Sequence, residues 1–192
     1  MAFTPKDDVK EPKLSEQIQN VIKRSAGEKV ECHEDEIYRT KHKIMQILVG
    51  CTDLLSCIRP SDIDEEDLYN GDLYRDNYIF DYLRLPDLKH EVKNYVCFEV
   101  NDSTSSYDLR VTRTITFRVV SYKGETTTDW GISRQDLMAL IIKDLFDYKS
   151  DMGLTLIKTS DSGAVTADDY YYREIIYTTT PPYNPYKKGI NR

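Results

Sequence analysis

The sequence is poor in the residues that mark several classes of protein. Eight glycines and seven prolines among 192 residues exclude collagen-like and low-complexity chains. Apolar residues make up 40% of the chain, but no run approaches the ~20 consecutive apolar residues that a membrane-spanning helix needs. The charged start of the chain is followed by no apolar stretch, so we expect no secretory signal. These features predict one globular domain with arms and no membrane partner.

Cysteine is also scarce, and its spacing indicates neither a disulfide framework nor a metal site. The four cysteines form no pair at short spacing, which predicts free thiols in a reducing compartment. Cys32, Cys51 and Cys57 together with His33 offer four possible zinc ligands, but this set lacks the usual Cys-x2–4-Cys pair. We therefore expect no metal. The cysteines are Cys32, Cys51, Cys57 and Cys97.

The sequence lacks the common catalytic motifs. It has no glycine-rich phosphate loop followed by Lys-Ser/Thr, and no Gly-x-Ser-x-Gly elbow. His33, His42 and His90 are not paired by spacing with a plausible nucleophile, and surface histidines are the simpler interpretation. We therefore expect no catalytic residue and no cofactor.

One enzymatic alternative rests on Asp87 and Glu91. Pro86-Asp87 followed by Glu91-Val92-Lys93 resembles the Pro-Asp…Glu-x-Lys pattern of metal-dependent nucleases, in which two carboxylates hold the metal. Those carboxylates would have to come from adjacent strands. A strand, a turn and a second strand do not fit into so short a spacing, so the nuclease stays a distant alternative.

The acidity of the chain is local. Its 33 acids and 26 bases give a net charge of −7, and residues 62–87 alone hold nine acids and two bases. A nucleic-acid-binding protein would instead carry an excess of Lys and Arg, because these residues neutralise the phosphates. Asp62, Asp64 and Glu66 alternate as calcium ligands could, but the loop lacks the glycine and terminal glutamate of an EF-hand. We predict a solvated surface that faces a lumen or a partner. Its candidate residues are Asp62, Asp64, Glu65, Glu66 and Asp67.

Tyrosine is unusually frequent, with 15 residues against five Phe and one Trp. Tyrosine combines a large rigid contact area with a polar tip and is enriched at protein interfaces. Side chains alternate along a strand, so three consecutive tyrosines cannot all face the core. We therefore predict an assembly surface at the end of the chain, together with basic residues of the tail. Its candidates are Tyr170, Tyr171, Tyr172, Tyr183, Tyr186, Lys187 and Lys188.

The first half of the chain is predicted to be helical. Residues 1–13 form an arm, and residues 14–90 form a helical segment with the acidic excursion at 62–87. Within that segment, apolar residues at helical spacing predict a short helix that ends near Gly27. A longer helix follows from about Asp35 and ends before Arg59-Pro60, because proline disfavours helix in the residue before it. The apolar residues of the short helix are Leu14, Ile18, Val21 and Ile22.

The second half changes to the two-residue period of strands. Strands are predicted near 95–100, at 111–122, at 154–159 and at 170–179, with loops at 101–107 and 161–163. A helix begins at Ser133, where Ser-Arg-Gln-Asp resembles a capping box. The sequence thus predicts an α+β core domain at 91–180, with about four strands in a largely antiparallel sheet and a packed helix. A C-terminal arm follows at 181–192. The predicted core-facing stripe of the helix is Leu137, Leu140, Ile141, Leu145 and Tyr148, widened by Met138 and Ile142.

The second half also resembles a known family. Strand 111–120, the stretch Trp130-Gly131-Ile132-Ser133-Arg134-Gln135-Asp136-Leu137, a long helix and a tyrosine-rich strand ending in Pro-Pro are similar to neck proteins of tailed bacteriophages. The greatest similarity is to tail terminator (tail-completion) proteins, whose Gly-Ile-x-Arg-x-Asp stretch opens the helix packed on the sheet. The resemblance covers about residues 92–182, and the first 90 residues have no counterpart.

The resemblance implies a structural virion protein without catalysis. Such proteins form a homo-oligomeric ring, commonly of six subunits, that caps the tail tube and joins the tail to the head. The implied partners are the tail tube protein and the head-completion proteins. DNA would pass without sequence-specific binding, which an acidic lumen favours because carboxylates repel phosphates. The implied location is the virion neck, after assembly in the host cytoplasm. The alternative within this class is a head-side stopper or adaptor, that is, another head–tail connector.

Overall fold

The structure is a computed structural model that describes residues 33–58, 63–84, 93–104, 111–129, 131–147, 155–165 and 170–179. The predicted N-terminal arm, the short helix at 14–27 and the C-terminal arm lie outside the described residues. So do Asp62, Asp87, Tyr183, Tyr186, Lys187 and Lys188.

The described chain is an α+β fold, as the sequence predicted. It has two helices before the sheet, one helix between strands, and short 3-10 turns at Glu65–Asp67, Gly71–Leu73 and Lys123–Glu125. The helices are α1 (His33–Val49), α2 (Thr52–Ile58) and α3 (Arg134–Phe146). The strands are β1 (Ile79–Phe80), β2 (Tyr95–Thr104), β3 (Val111–Tyr122), β4 (Leu156–Val165) and β5 (Tyr170–Thr179).

The strands form one sheet in the order β1-β2-β3-β5-β4. Strands β2, β3, β5 and β4 are antiparallel neighbours, and they correspond to the four predicted strands. Strand β1 comes from the acidic excursion and pairs in parallel with β2 through Ile79 and Phe80. Two residues are too short for any periodicity, so this fifth strand was not predicted.

The main core lies between one face of the sheet and the three helices. Val96, Phe98, Phe117 and Ile175 point to this face, because side chains alternate along each strand. They belong to one buried cluster with residues from all three helices, among them Ile44, Leu54 and Ile142. The predicted alternation of β3 is confirmed by its burial, which alternates from Val111 to Val119. Residues 33–58 and the sheet therefore share a single core.

A smaller cluster covers one end of the opposite face of the sheet. It contains Phe80, Tyr95, Cys97, Val120 and Tyr170. Phe80 packs edge-on against Tyr95, with ring centroids 5.9 Å apart. The excursion thus contributes to the fold through β1 and is anchored to the sheet. A Cβ at Gly71 would overlap the Val49 carbonyl, so the excursion also passes too close to the end of α1 for any other residue.

Three predicted boundaries were wrong. The single helix predicted from about Asp35 to before Arg59-Pro60 is broken at Gly50 and Cys51 into α1 and α2, because glycine is unfavourable inside a helix. Residues 101–104 continue β2 instead of forming a loop. Residues 161–163 lie in β4, where they pair with β5 beyond a register shift at Lys158/Ser160. Polar residues are compatible with this strand because it is an edge of the described sheet.

Candidate interaction surfaces

The stretch that carries the family resemblance joins α3 to three neighbouring elements. Gly131 adopts φ +72°, a conformation that favours glycine, and the chain then enters the helix at Ser133. Arg134 donates to the Cys57 carbonyl at the end of α2 and to the Glu125 carbonyl, both at 2.7 Å. Gln135 accepts a hydrogen bond from Ser121 of β3 at 2.9 Å. Trp130 lies outside the described residues.

Asp136 completes this junction by binding β5. Its carboxylate accepts hydrogen bonds from Ser133 and, at 2.6 Å, from Arg173. Ser133 is the N-cap residue, as predicted, but it donates to Asp136 and forms no cap bond to a backbone amide. Burial opposes ionisation, yet the bonds from Ser133 and Arg173 outweigh it and hold the pKa of Asp136 below its usual value. The stretch therefore has an architectural role that can be read from its contacts.

Arg173 links the helix to the edge of the sheet. It donates to Asp161 of β4 at 2.6 Å and to Asp136, while Lys143 of α3 binds Asp161 at 3.1 Å. The hydrogen bond from Arg173 is the main reason why the pKa of Asp161 lies below its usual value. On the same side, Tyr177 donates to Asp147 at 2.7 Å, and its burial and this bond raise its pKa. These contacts fix α3 against β4 and β5.

The predicted acidic residues lie on an exposed turn. Asp64, Glu65, Glu66 and Asp67 are all exposed, at and around the first 3-10 turn. None of them forms an ion pair or a side-chain hydrogen bond with another described residue. Their charges are therefore available to solvent or to a partner, and local like-charge repulsion is not relieved by the described part of the fold.

Large apolar side chains are exposed in the same excursion. Tyr69 is 60% exposed, Tyr82 48% and Leu83 39%. Below them, Tyr74 is fully buried and donates to the Leu68 carbonyl at 2.8 Å. Burial, together with nearby Tyr69, raises the pKa of Tyr74 to about 12. The excursion is thus an anchored element with a surface of carboxylates and tyrosine, a composition that suits contact with another protein.

The structure separates the three consecutive tyrosines of β5. Tyr170 is 4% exposed and packs edge-on against Tyr122, with ring centroids 5.6 Å apart. Tyr171 is half-buried on the opposite face. Tyr172 is half-buried beside the guanidinium of Arg118, which lies 5.1 Å from the ring centroid. Of these three tyrosines, only Tyr171 and Tyr172 present surface in the described part of the chain. Tyr170 packs inside the subunit.

A polar cavity lies between α1 and the excursion. It has a volume of about 190 Å³ and is lined by Lys41, His42, Arg75, Asp76 and Asp81, with Tyr38 and Met45. The buried Nε of Arg75 has no hydrogen-bond partner among the described residues, although such groups are nearly always paired. Asp76 adopts φ +61°, which is uncommon for a residue other than glycine. Sequence reasoning missed this cavity, because its residues come from segments that are not adjacent in the chain.

No metal site is visible in the part of the chain that the structure covers. No group of three His, Cys, Asp or Glu side chains among the described residues could hold an ion. Of the alternatives raised by the sequence, Cys32, Asp87 and Glu91 lie outside those residues. Across the described ranges, no helix is both long and apolar enough to cross a membrane.

Comparison with known proteins identifies the family. The model of the YomW family matches residues 52–179, which include α2, the excursion, the whole sheet and α3. The chain belongs to the YomW family. This family is associated with phages, in agreement with the class of protein that the sequence suggested. The match contains the Gly131–Asp136 stretch and the acidic turn, whereas the first 51 residues lie outside it.

No curated protein matches the chain. Among solved structures, a chain in a structure entitled "Virion of native gene transfer agent (GTA) particle" is similar over 66% of this chain and 90% of that chain, with 11% sequence identity and a TM-score of 0.35.

Proposed function

We propose that this protein is a structural component of a phage particle that forms a ring at the neck, caps the tail tube and joins the tail to the head. The observation that carries the proposal is the match to a phage-associated family over residues 52–179. The resemblance of residues 92–182 to tail terminators supplies the finer assignment. The Gly131–Asp136 stretch that carries this resemblance binds α3 to the sheet through Gln135 and Asp136. In this protein the motif therefore stabilises the fold.

The surfaces of the fold support a role in assembly. Asp64, Glu65, Glu66 and Asp67 form an exposed acidic turn with no described counter-ion, and Tyr69 lies exposed beside it. A ring that carries such a turn on its lumen would repel DNA and let it slide. Alternatively, the turn would bind a basic partner in the neck. Residues 1–13 and 181–192 would serve as arms, and residues 14–90 and 91–180 as the helical and the sheet-containing regions.

The test is a phage that lacks the protein. We expect tails of uncontrolled length, or tails that do not join filled heads, because an uncapped tube continues to polymerise. Complementation with the intact gene should restore tails of uniform length. Normal tails attached to filled heads would refute the terminator assignment.

The same phage separates the alternatives. Heads that leak DNA beside complete free tails would indicate a head-side stopper or adaptor. A particle reconstruction that shows the symmetry of the ring and the subunits that it touches would decide between these two positions. Magnesium-dependent DNA cleavage by the purified protein, lost on Asp87→Ala, would instead support the nuclease.

A further inference from the structure

Helix α3 is apolar on two sides, but only one side is fully covered. Met138, Ala139, Ile142 and Phe146 are buried in the main core. The adjacent side carries Leu137, Ile141 and Leu145, which are only half-buried, and Leu140, which is 51% exposed. A helix that is apolar around most of its circumference is normally covered on more than one side. The half-buried side of α3 therefore lacks part of its cover in the described part of the chain.

A groove runs along this incompletely covered side. It lies between α2 and α3, has a volume of about 530 Å³, and is lined by Asp53, Ser56, Cys57, Leu137 and Ile141. Leu137 and Ile141 lie four residues apart, so they are neighbours on one face of α3. The helix is fixed on its far side by the Arg173 contacts described above. The α2–α3 groove is thus an apolar trough between two elements of the subunit, with one carboxylate at its rim.

We propose that residues 14–22 of the same chain, here called the N-terminal segment, form an amphipathic helix that fills the α2–α3 groove. Leu14, Ile18, Val21 and Ile22 recur at the spacing that places them on one helix face. A nine-residue helix is marginal in water without tertiary packing. Docking into the groove covers the apolar face of the segment and, on α3, the half-buried Leu137 and Ile141 in one step.

The length of the connection permits docking within one chain. Residues 23–32 separate the N-terminal segment from α1, and ten extended residues span up to about 33–36 Å. Helix α1 has 17 residues, a length of about 25 Å, and α2 begins three residues after α1 ends. The chain can therefore return along α1 and reach α2. The segment, at roughly 13 Å, is also shorter than α3 at about 20 Å.

Charge at the two ends of the contact is complementary. Asp53 is exposed at the rim of the groove and forms no ion pair with another described residue. Lys23 and Arg24 directly follow the last apolar residue of the N-terminal segment. An exposed pair of this kind adds little affinity, but it favours one orientation of the helix in the groove.

Thiol labelling of the full-length chain tests the proposal, with each cysteine quantified separately by peptide mass analysis because the native Cys57 also lines the groove. Ile141→Cys places a reporter in the groove, and Leu140→Cys provides a neighbouring reporter that does not line it. Ile18→Asp and Ile22→Asp place charges on the apolar face of the N-terminal segment and should release it from the groove. In a chain that carries both changes, the cysteine at position 141 should react with maleimide about ten times faster, because the segment no longer shields it. Asn20→Asp adds charge on the opposite side of the segment and should leave the rate unchanged. The Leu140→Cys reporter should respond to neither change.

Cross-linking supplies a second, independent readout. In full-length protein that carries Ile18→Cys and Ile141→Cys, a short bismaleimide should join these two positions within one chain. Peptide mass analysis distinguishes this link from one to the native Cys57, which also lines the groove. The buried thiol of Cys97 reports on folding, since its labelling would reveal an unfolded variant. Equal labelling of Ile141→Cys with and without the two aspartates, in a folded chain, would overturn the proposal. A cross-linked product with the mass of two chains would also overturn it, by showing that the segment leaves its own subunit. Neither result depends on the neck assignment.

Discussion

Arg113 and Asp102 form an ion pair that is almost completely shielded from water. Their side chains are each 3% exposed, and Arg113 binds Asp102 through two nitrogens at 2.7 and 2.8 Å. A third nitrogen of Arg113 donates to Thr40 of α1 at 2.8 Å. A buried pair of this kind is costly to break, because the remaining charge loses its partner and stays away from water.

We expect Arg113→Met to lower the free energy of unfolding by about 3–5 kcal/mol, since it removes the two charge-assisted hydrogen bonds that Arg113 donates to the buried Asp102 carboxylate. Arg118→Met is the matched control. Arg118 binds Glu174 at 2.6 Å on the other face of the sheet, but both side chains are more than 20% exposed, so its loss should cost no more than about 1 kcal/mol. Urea unfolding followed by circular dichroism measures both. Equal losses would contradict the assignment of Arg113 as the buried partner.

The cluster around Arg173 makes a prediction about pH. The pKa values of Asp136 and Asp161 are held below the usual 3.8 in the folded protein, so below about pH 5 the unfolded chain binds more protons than the folded one. Stability therefore falls as pH decreases through this window. In Arg173→Leu the carboxylates lose the partner that lowers their pKa.

The difference in unfolding free energy between the wild type and Arg173→Leu should thus be largest at neutral pH and should shrink below about pH 4. Urea unfolding at a series of pH values from 7 to 3 measures this difference. A difference that stays constant over the whole series would show that Arg173 acts through packing and not through these carboxylates.

At the scale of the element, α3 shows which side of a helix carries the stability. Ile142 is fully buried, whereas Leu140 is 51% exposed. We expect Ile142→Ala to cost about 2–5 kcal/mol and Leu140→Ala less than about 1 kcal/mol, because a cavity forms only at the buried site. Thermal and urea unfolding of the two variants give the comparison. A loss at Leu140 as large as that at Ile142 would mean that Leu140 is covered by something else in the folded protein.

The structure reverses part of the expectation from sequence for this helix. Periodicity placed Leu140 and Ile141 on the core face, with Met138 and Ile142 at its margin. In the structure the centre of the buried face is Met138, Ala139, Ile142 and Phe146. The two stripes are both apolar, so hydrophobic spacing alone could not decide which of them meets the sheet. In the structure, the polar contacts of Arg134, Gln135, Asp136 and Lys143 accompany this rotation of the helix.

Other elements follow from the sequence to different degrees. Strands β3 and β5 were predictable because β-branched and aromatic residues alternate over ten residues or more, and each ends at turn residues. Strand β1 and the end of β4 were not, because their pairing depends on partners far along the chain. For the candidate surfaces, composition indicated the exposed acidic turn. It could not indicate that Tyr170 would be buried against Tyr122, since burial of a tyrosine depends on which neighbouring strand it faces.

At the scale of the whole molecule, the proposed ring requires contacts between copies that use two different patches. Strand β5 ends at Thr179, so deletion of Pro181 to Arg192 should leave the subunit folded while it weakens the ring or its docking to the tube. Interfaces of stable assemblies bury on the order of 1,200–2,000 Å², and the loss of an arm would remove part of that area.

Mass photometry and analytical ultracentrifugation of the intact and shortened chains measure the assembly, and circular dichroism checks folding. Lys187→Gln with Lys188→Gln separates the charge of the arm from its length. An unchanged assembly in the shortened protein would remove the C-terminal arm, with Tyr183 and Tyr186, from the proposed interface.

The central position of β3 also sets the timescale on which the backbone exchanges its amide hydrogens with water. Strand β3 has β2 on one side and β5 on the other, whereas β4 has only β5 as a neighbour among the described strands. Amides of Phe117 and Val119 should therefore exchange only when the whole domain opens, and those of the acidic turn and of alternate β4 residues much sooner. Hydrogen exchange read by NMR would reveal this order. The slowest amide exchange in the molecule should therefore be in β3, whose two neighbours, β2 and β5, are not edge strands of the described sheet.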